Sequence, residues 1–147
     1  MSSEPGVRLK SATVVIAIVT AVVSAVFILP AAKRMVELGF KLIATSGTCA
    51  FLSGEGLPVD HVNKVAQGRP HIVDRIVDGA VQIIYNTTEG WQSLKDSQAI
   101  REAAIKARVP YFTTAAASLA TANAIGALRG HALEVRSLQS YYSSSKD

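Results

Sequence analysis

Residues 41–52 read KLIATSGTCAFL, an apolar run broken by Thr-Ser-Gly-Thr and followed at once by a second apolar run. The segment 40–45 has the length and composition of a buried strand, and GTCAFLSGEG (47–56) those of a short helix closed by Gly54 and Gly56. A strand that passes through a small polar loop straight into a helix is the repeating unit of α/β proteins. The rest of the chain is therefore read for the same unit.

It recurs on both sides. Upstream, TVVIAIV (13–19) predicts a strand, and FILPAAKRMVEL (27–38) a helix with Pro30 in its first turn, Ile28, Ala31, Ala32 and Met35 on its inner face, and Gly39 as its stop. Downstream, LPVDHVNKV (57–65) predicts an extended segment, and Pro70 opens a helix, HIVDRIVDG (71–79), with an apolar stripe of Ile72, Val73, Ile76 and Val77 ended by Gly79. Then follow a strand, AVQIIYN (80–86), and a helix, SQAIREAAIKARV (97–109), with Ile100, Ala103, Ala104 and Ala107 on one side. PYFTT (110–114) predicts a short strand, AASLATANAIGAL (116–128) a helix, and ALEVRSL (132–138) a weak strand before the polar tail 139–147. Such alternation predicts the α/β class, doubly wound, with a parallel sheet covered by helices on both faces. Residues 1–12 are expected to be a flexible segment or tag, and 13–138 a single domain.

The charge balance, 15 Lys+Arg against 11 Asp+Glu, is mildly basic and contains no run like a nucleic-acid arm, so it points to small anions. A single cysteine, Cys49, excludes an intramolecular disulfide, and no Cys/His group has metal-ligand spacing. A reducing, cytoplasmic setting without a structural metal is expected. Residues 11–32 carry no charge and follow Arg8 and Lys10, which read alone suits a membrane span or a signal sequence. The β-branched start, Thr20, Ser24 and Pro30 suit a buried parallel strand feeding a helix better.

In a doubly wound fold, ligands sit outside the carboxyl ends of the strands. Thr45, Ser46, Gly47 and Thr48 fall there and offer free N–H groups, hydroxyls and the positive end of a helix dipole to an anion. A plain helix cap accounts for the same residues on stability alone. NTTEG (86–90) is a second polar exit, and Thr113 and Thr114 a third. Lys64 could reach a phosphate as a point charge or simply be solvated. Arg69, His71, Asp74 and Arg75 lie close together and read as surface or subunit-contact charge, while His61 and His131 are isolated and receive no role. None of the strand-end groups is a good general base or nucleophile, so the crevice is read as one that binds.

GFKLIATSGTCAFL (39–52), VNKVAQGRPHIVDRIVDG (62–79), IIYNTTEG (83–90) and DSQAIREAAIKARVPYFTTAAA (96–117) together resemble the C-terminal allosteric domain of the carbamoyl phosphate synthetase large subunit, a member of the methylglyoxal-synthase-like superfamily. The resemblance covers roughly 27–138 and implies a three-layer sandwich around a mostly parallel five-stranded sheet. It implies a regulatory nucleotide site whose phosphate is held by Thr45, Thr48, Lys64, Asn86 and Thr88, with Ser46 and Gly47 of the same loop, and whose ribose and base lie against Ser97, Thr113 and Thr114. The implied effectors are uridine monophosphate as inhibitor and inosine monophosphate as activator. No catalytic residue, metal or cofactor is implied in this domain, since ATP and metals belong to the other domains of the large subunit. Those domains and a glutaminase small subunit are the implied partners, with neither nucleic acid nor membrane, and a homo-oligomer is left open.

One departure stands out. The family's first strand is followed by a charged loop with a phosphate-binding lysine, whereas TAVVSAVF (20–27) here places Ala25 at the matching position. Losing that cation costs a phosphate site about 1.5–3 kcal/mol. Weak effector affinity, or another ligand, and an exposed apolar segment suited to an interface are expected. The enzymatic branch of the superfamily converts dihydroxyacetone phosphate to methylglyoxal with an aspartate base, and Pro70 stands near the position where that aspartate would fall.

Overall fold

The computed structural model describes residues 13–16, 22–87, 92–129 and 137–139, with side chains at 26–87, 97–129 and 137–139. The elements are β1 (Thr13–Ile16), α1 (Val22–Glu37), β2 (Lys41–Ala44), α2 (Ser46–Gly54), β3 (Val59–His61), a 3-10 turn (Val65–Gln67), α3 (Ile72–Val77), β4 (Ile83–Tyr85), α4 (Gln92–Ala107), β5 (Tyr111–Phe112) and α5 (Ala115–Leu128). The strands pair in the order β3-β2-β1-β4-β5, every neighbouring pair parallel. The α/β class and parallel pairing expected from the sequence are present.

Two apolar layers flank the strands. Leu42, Ile83 and Tyr85 pack under Ile28, Ala31, Ala32 and Met35 of α1, Leu52 of α2 and Ala122 of α5. Successive strand residues point to opposite faces, so Ile84 joins the other layer, with Ile72 and Ile76 of α3 and Ile100, Ala103 and Ala104 of α4. The four α1 residues expected to face inward are all fully buried, because their i, i+3, i+4, i+7 spacing confines them to one stripe. Gly39 and Gly79 follow α1 and α3 with φ of +78° and +71°, a left-handed turn that glycine adopts without a Cβ clash.

Several boundaries differ from expectation. Helix α1 begins at Val22, so Pro30 lies inside it instead of in its first turn, and Ala25 is a helical residue instead of a loop residue. Proline's missing N–H and ring clash concern only the preceding turn, and apolar burial along the remaining length holds the helix together. Helix α3 is capped by His71, whose Nδ1 accepts the Asp74 N–H at 3.4 Å while the Asp74 carboxylate accepts the His71 N–H at 2.9 Å. Pro70 therefore precedes the cap and does not open the helix. Arg69 reaches the same carboxylate at 3.4 Å.

Val77 is 69% exposed, and Ala107 is exposed too. Both line one groove of about 450 Å³ between α3 and α4, so the apolar stripes of the two helices do not close on each other there. The weak strand over 132–138 lies, apart from Ser137 and Leu138, outside the described residues, and Leu138 is helical. Strand β1 pairs with β2 on one side and β4 on the other, which assigns 13–16 to the centre of the ladder. Among the described residues no helix is long and apolar enough to cross a membrane. The apolar exposure expected near the start of α1 is found at Val26 and Phe27, 50% and 65% exposed.

Candidate functional site

Parallel pairing sets the last residues of all the strands in one row: His61 opposite Ala44, Ala44 opposite Ile16, Ile16 opposite Tyr85, Tyr85 opposite Phe112. The residues that follow emerge at one edge. Strand order changes direction between β1 and β4, and ligands of doubly wound folds bind at such a switch point.

On one side of that point, Thr45 leaves β2 and caps α2. Its hydroxyl makes no cap bond, yet Thr45 and Thr48 are 1% and 2% exposed and both are engaged with other groups. Ser46 and Gly47 are exposed in the first turn of α2, where backbone N–H groups lack helical acceptors. Ser46 Oγ lies 2.9 Å from Nε2 of His61, the last residue of β3. The sequence reading gave His61 no role; the strand pairing of Ala44 with His61 is what brings the two side chains together.

Lys64 follows β3 by three residues and is half-buried. The ion pairs among the described residues, Arg34–Glu37, Arg69–Asp74 and His71–Asp74, do not include it.

Across the switch point, Asn86 is completely buried. Its Nδ2 donates to Ser97 Oγ at 3.2 Å and to the Tyr111 hydroxyl. Ser97 is 2% exposed within α4, which starts at Gln92, earlier than expected, so this serine is an interior helical residue. The structure thus joins Asn86 to Ser97 and adds Tyr111, which the sequence reading missed; a tyrosine opening a short strand gives no local sign of it. The Arg101 guanidinium lies 5.7 Å from the Tyr111 ring centre.

Three consecutive residues leaving β4 hold buried polar atoms without a partner among the described residues: the Tyr85 hydroxyl, Asn86 Oδ1 and Thr87 Oγ1. Buried polar atoms are nearly always hydrogen-bonded, so the two on Asn86 and Thr87, where the chain leaves the sheet, are unusual, while the Tyr85 hydroxyl lies within the α1-side layer. Burial pushes the Tyr85 phenol up to about 12 from 10.0. Because the folded value is the higher one, the fold is at full strength below about pH 10 and loses stability as the unfolded chain alone ionises, up to about pH 12. Tyr85→Phe is expected to remove that extra alkaline loss and to raise stability at neutral pH by about 1 kcal/mol, since it deletes a buried hydroxyl that has no partner among the described residues. Thermal melts of both proteins from pH 8 to 12 check this, and a steeper alkaline loss in the variant would contradict it.

Thr113 and Thr114 are exposed after β5. Thr114 Oγ1 accepts the Ala117 N–H at 3.1 Å, so it works as an ordinary cap of α5. Thr88 lies outside the described residues. The edge as a whole presents hydroxyls, an amide and helix N–H groups, a set suited to holding an anion and a polar ring.

A family model for the MGS-like domain matches residues 27–113. The carbamoyl phosphate synthase large chain of Mesorhizobium japonicum is 50% identical over 115 residues, 78% of this chain and 10% of that protein. The large chain of Rhizobium meliloti is 45% identical over the same length and shares, and that of Myxococcus xanthus 43% over 110 residues, 75% of this chain and 10% of that one. The chain spans about a tenth of the length of the curated relatives it matches.

Proposed function

Because the chain belongs to the MGS-like domain family, we propose that it is the regulatory domain of a carbamoyl phosphate synthase large chain and binds nucleoside monophosphates at the carboxyl edge of its strands. In this reading the strands form the five-stranded sheet of a doubly wound sandwich. Uridine monophosphate acts as inhibitor and inosine monophosphate as activator. The remaining large-chain domains and a glutaminase small subunit are its partners, in the cytoplasm, and the chain by itself performs no chemistry.

The observation that carries the reading is the pair of buried polar atoms without a partner among the described residues, Asn86 Oδ1 and Thr87 Oγ1, where the chain leaves β4 at the strand-order switch. A phosphomonoester set against Ser46, Gly47 and the end of α2 gains helix N–H donors and a favourable dipole. Lys64 supplies a cation, and Thr45, Thr48, Asn86 and Thr88 complete the phosphate shell. Ser97, Thr113 and Thr114 lie toward ribose and base, with Ser97 acting through Asn86. A nucleotide that binds one state of the parent enzyme better than the other shifts it by its differential affinity, typically about 1–3 kcal/mol.

The second reading, a methylglyoxal synthase, needs a carboxylate base in the segment Gly68, Arg69, Pro70, His71, which contains none. Methylglyoxal released from dihydroxyacetone phosphate by the purified chain would restore it. Calorimetric titration with uridine and inosine monophosphates tests the regulatory reading. Micromolar or weaker binding is expected, with Lys64→Ala weakening it about ten-fold, as for loss of a charged hydrogen bond. Equal binding by both proteins would place the phosphate elsewhere.

A further inference from the structure

We propose that Tyr111 is a positioning residue of this edge: together with Ser97 it holds one end of the Asn86 carboxamide, so that the other end is fixed in place to meet the nucleotide. The inference rests on the nucleotide-binding reading and names a residue that reading does not contain.

Asn86 directly follows β4 and is completely buried. Its backbone N–H donates to the Phe112 carbonyl at 2.8 Å, which ties the main chain there to β5. Its side chain is tied twice more, Nδ2 donating to Ser97 Oγ of α4 at 3.2 Å and to the Tyr111 hydroxyl of β5. A primary amide has two N–H donors, and these bonds use both. Oδ1, at the other end of the same group, is buried and has no partner among the described residues, and Thr87 Oγ1 in the next residue is in the same condition. An amide held at one end and unsatisfied at the other marks a contact point for a ligand. Serine and tyrosine hydroxyls both donate and accept, so the same pair can hold the amide either way round, its carbonyl turned to a ribose hydroxyl or its NH2 to a phosphate oxygen. The protein thus sets the place and plane of the amide, and the ligand sets its polarity.

Tyr111 is itself braced. It packs against the apolar layer that contains Ile84 and Ile100, and the Arg101 guanidinium lies 5.7 Å from its ring centre. Arg101 follows Ser97 by four residues, so one face of α4 supplies both the tie to the amide and the cation over the ring. The ion pairs among the described residues do not include Arg101. A side chain ordered before binding loses no rotamer freedom when the ligand arrives. Without the Tyr111 hydroxyl the amide hinges on its single bond to Ser97, and the nucleotide has to immobilise it, a cost that corresponds to about two- to ten-fold in affinity.

The test is calorimetric titration of the whole chain and of Tyr111→Phe, Ser97→Ala, Arg101→Ala and Arg101→Lys with uridine monophosphate. Tyr111→Phe keeps the ring and its packing and removes only the hydroxyl; it is expected to bind about five-fold more weakly, and Ser97→Ala, which removes the other tie, by a similar factor. Arg101→Ala should lose about two-fold, and Arg101→Lys, which keeps a cation for the ring, should retain wild-type affinity. A merely structural role would lower stability without touching the amide, so the deciding readout is the Asn86 side chain itself. In NMR spectra of the ligand-free proteins, both Asn86 Nδ2 protons are expected to be protected from exchange with water in wild type, and one of them to lose that protection in Tyr111→Phe while the backbone amides of β4 and β5 keep theirs. Equal affinity of wild type and Tyr111→Phe, or unchanged protection of the Asn86 amide, would overturn the role of Tyr111 while leaving nucleotide binding standing. Absence of binding by wild type would overturn the nucleotide reading and this inference together.

Discussion

Ile84→Ala is expected to lower the unfolding free energy by about 3.5 kcal/mol, and with it Tm by about 10 °C for a chain of this size. Ile84 is fully buried at the centre of β4, between Val15 of β1 and Tyr111 of β5, and its N–H donates to the Pro110 carbonyl at 2.9 Å. A strand held on both sides cannot slide to fill a void. The helices above it cannot easily do so either, because Ala103 and Ala104 already bring α4 against the sheet with the shortest side chains available. Three carbon atoms would leave a cavity that stays open. Ile84→Val, which removes one methyl, should cost about 1 kcal/mol. Urea titrations of the three proteins measure both values, and a loss below 1 kcal/mol for the alanine variant would mean that this layer can collapse after all.

Asn86→Leu is the second large effect, with about 3 kcal/mol of stability lost. The leucine matches asparagine in length but offers nothing to Ser97 Oγ and the Tyr111 hydroxyl, which then lack their shared partner in a largely buried place. The cost comes chiefly from the orphaned hydroxyls, so deleting them should return part of it. Ser97→Ala and Tyr111→Phe added to Asn86→Leu should recover about half of the loss, because replacing all members of a polar cluster by apolar groups costs less than breaking it. The same triple variant should remain unable to bind uridine monophosphate, since the amide itself is gone. Recovery of stability together with recovery of binding would show that Asn86 is a structural residue only.

These two residues illustrate what local patterns convey. Ile84 could be assigned to a buried strand from IIY and its apolar neighbours, and the inner face of α1 was legible from the spacing of Ile28, Ala31, Ala32 and Met35. Asn86 was legible as a polar exit from a strand, but its partners were not. Where periodicity misled, the cause was tertiary. Val77 and Ala107 have the right spacing for the core and remain exposed, because both line an open groove between α3 and α4. Pro30 looked like a helix start because proline suits a first turn, yet the apolar residues before it extend α1 back to Val22.

The order of strands and helices, the faces of the long helices and their stops at Gly39 and Gly79 were determined by sequence alone, since each depends on residues a few positions apart and on φ angles that glycine tolerates. Which strands became neighbours, and hence which polar side chains met, was decided only by the fold. Ser46 and His61 are separated by 15 residues, Asn86 and Ser97 by 11, and Asn86 and Tyr111 by 25. Such contacts come into being when crossovers lay β3 beside β2 and β5 beside β4 in register, and no local pattern of residues encodes that register.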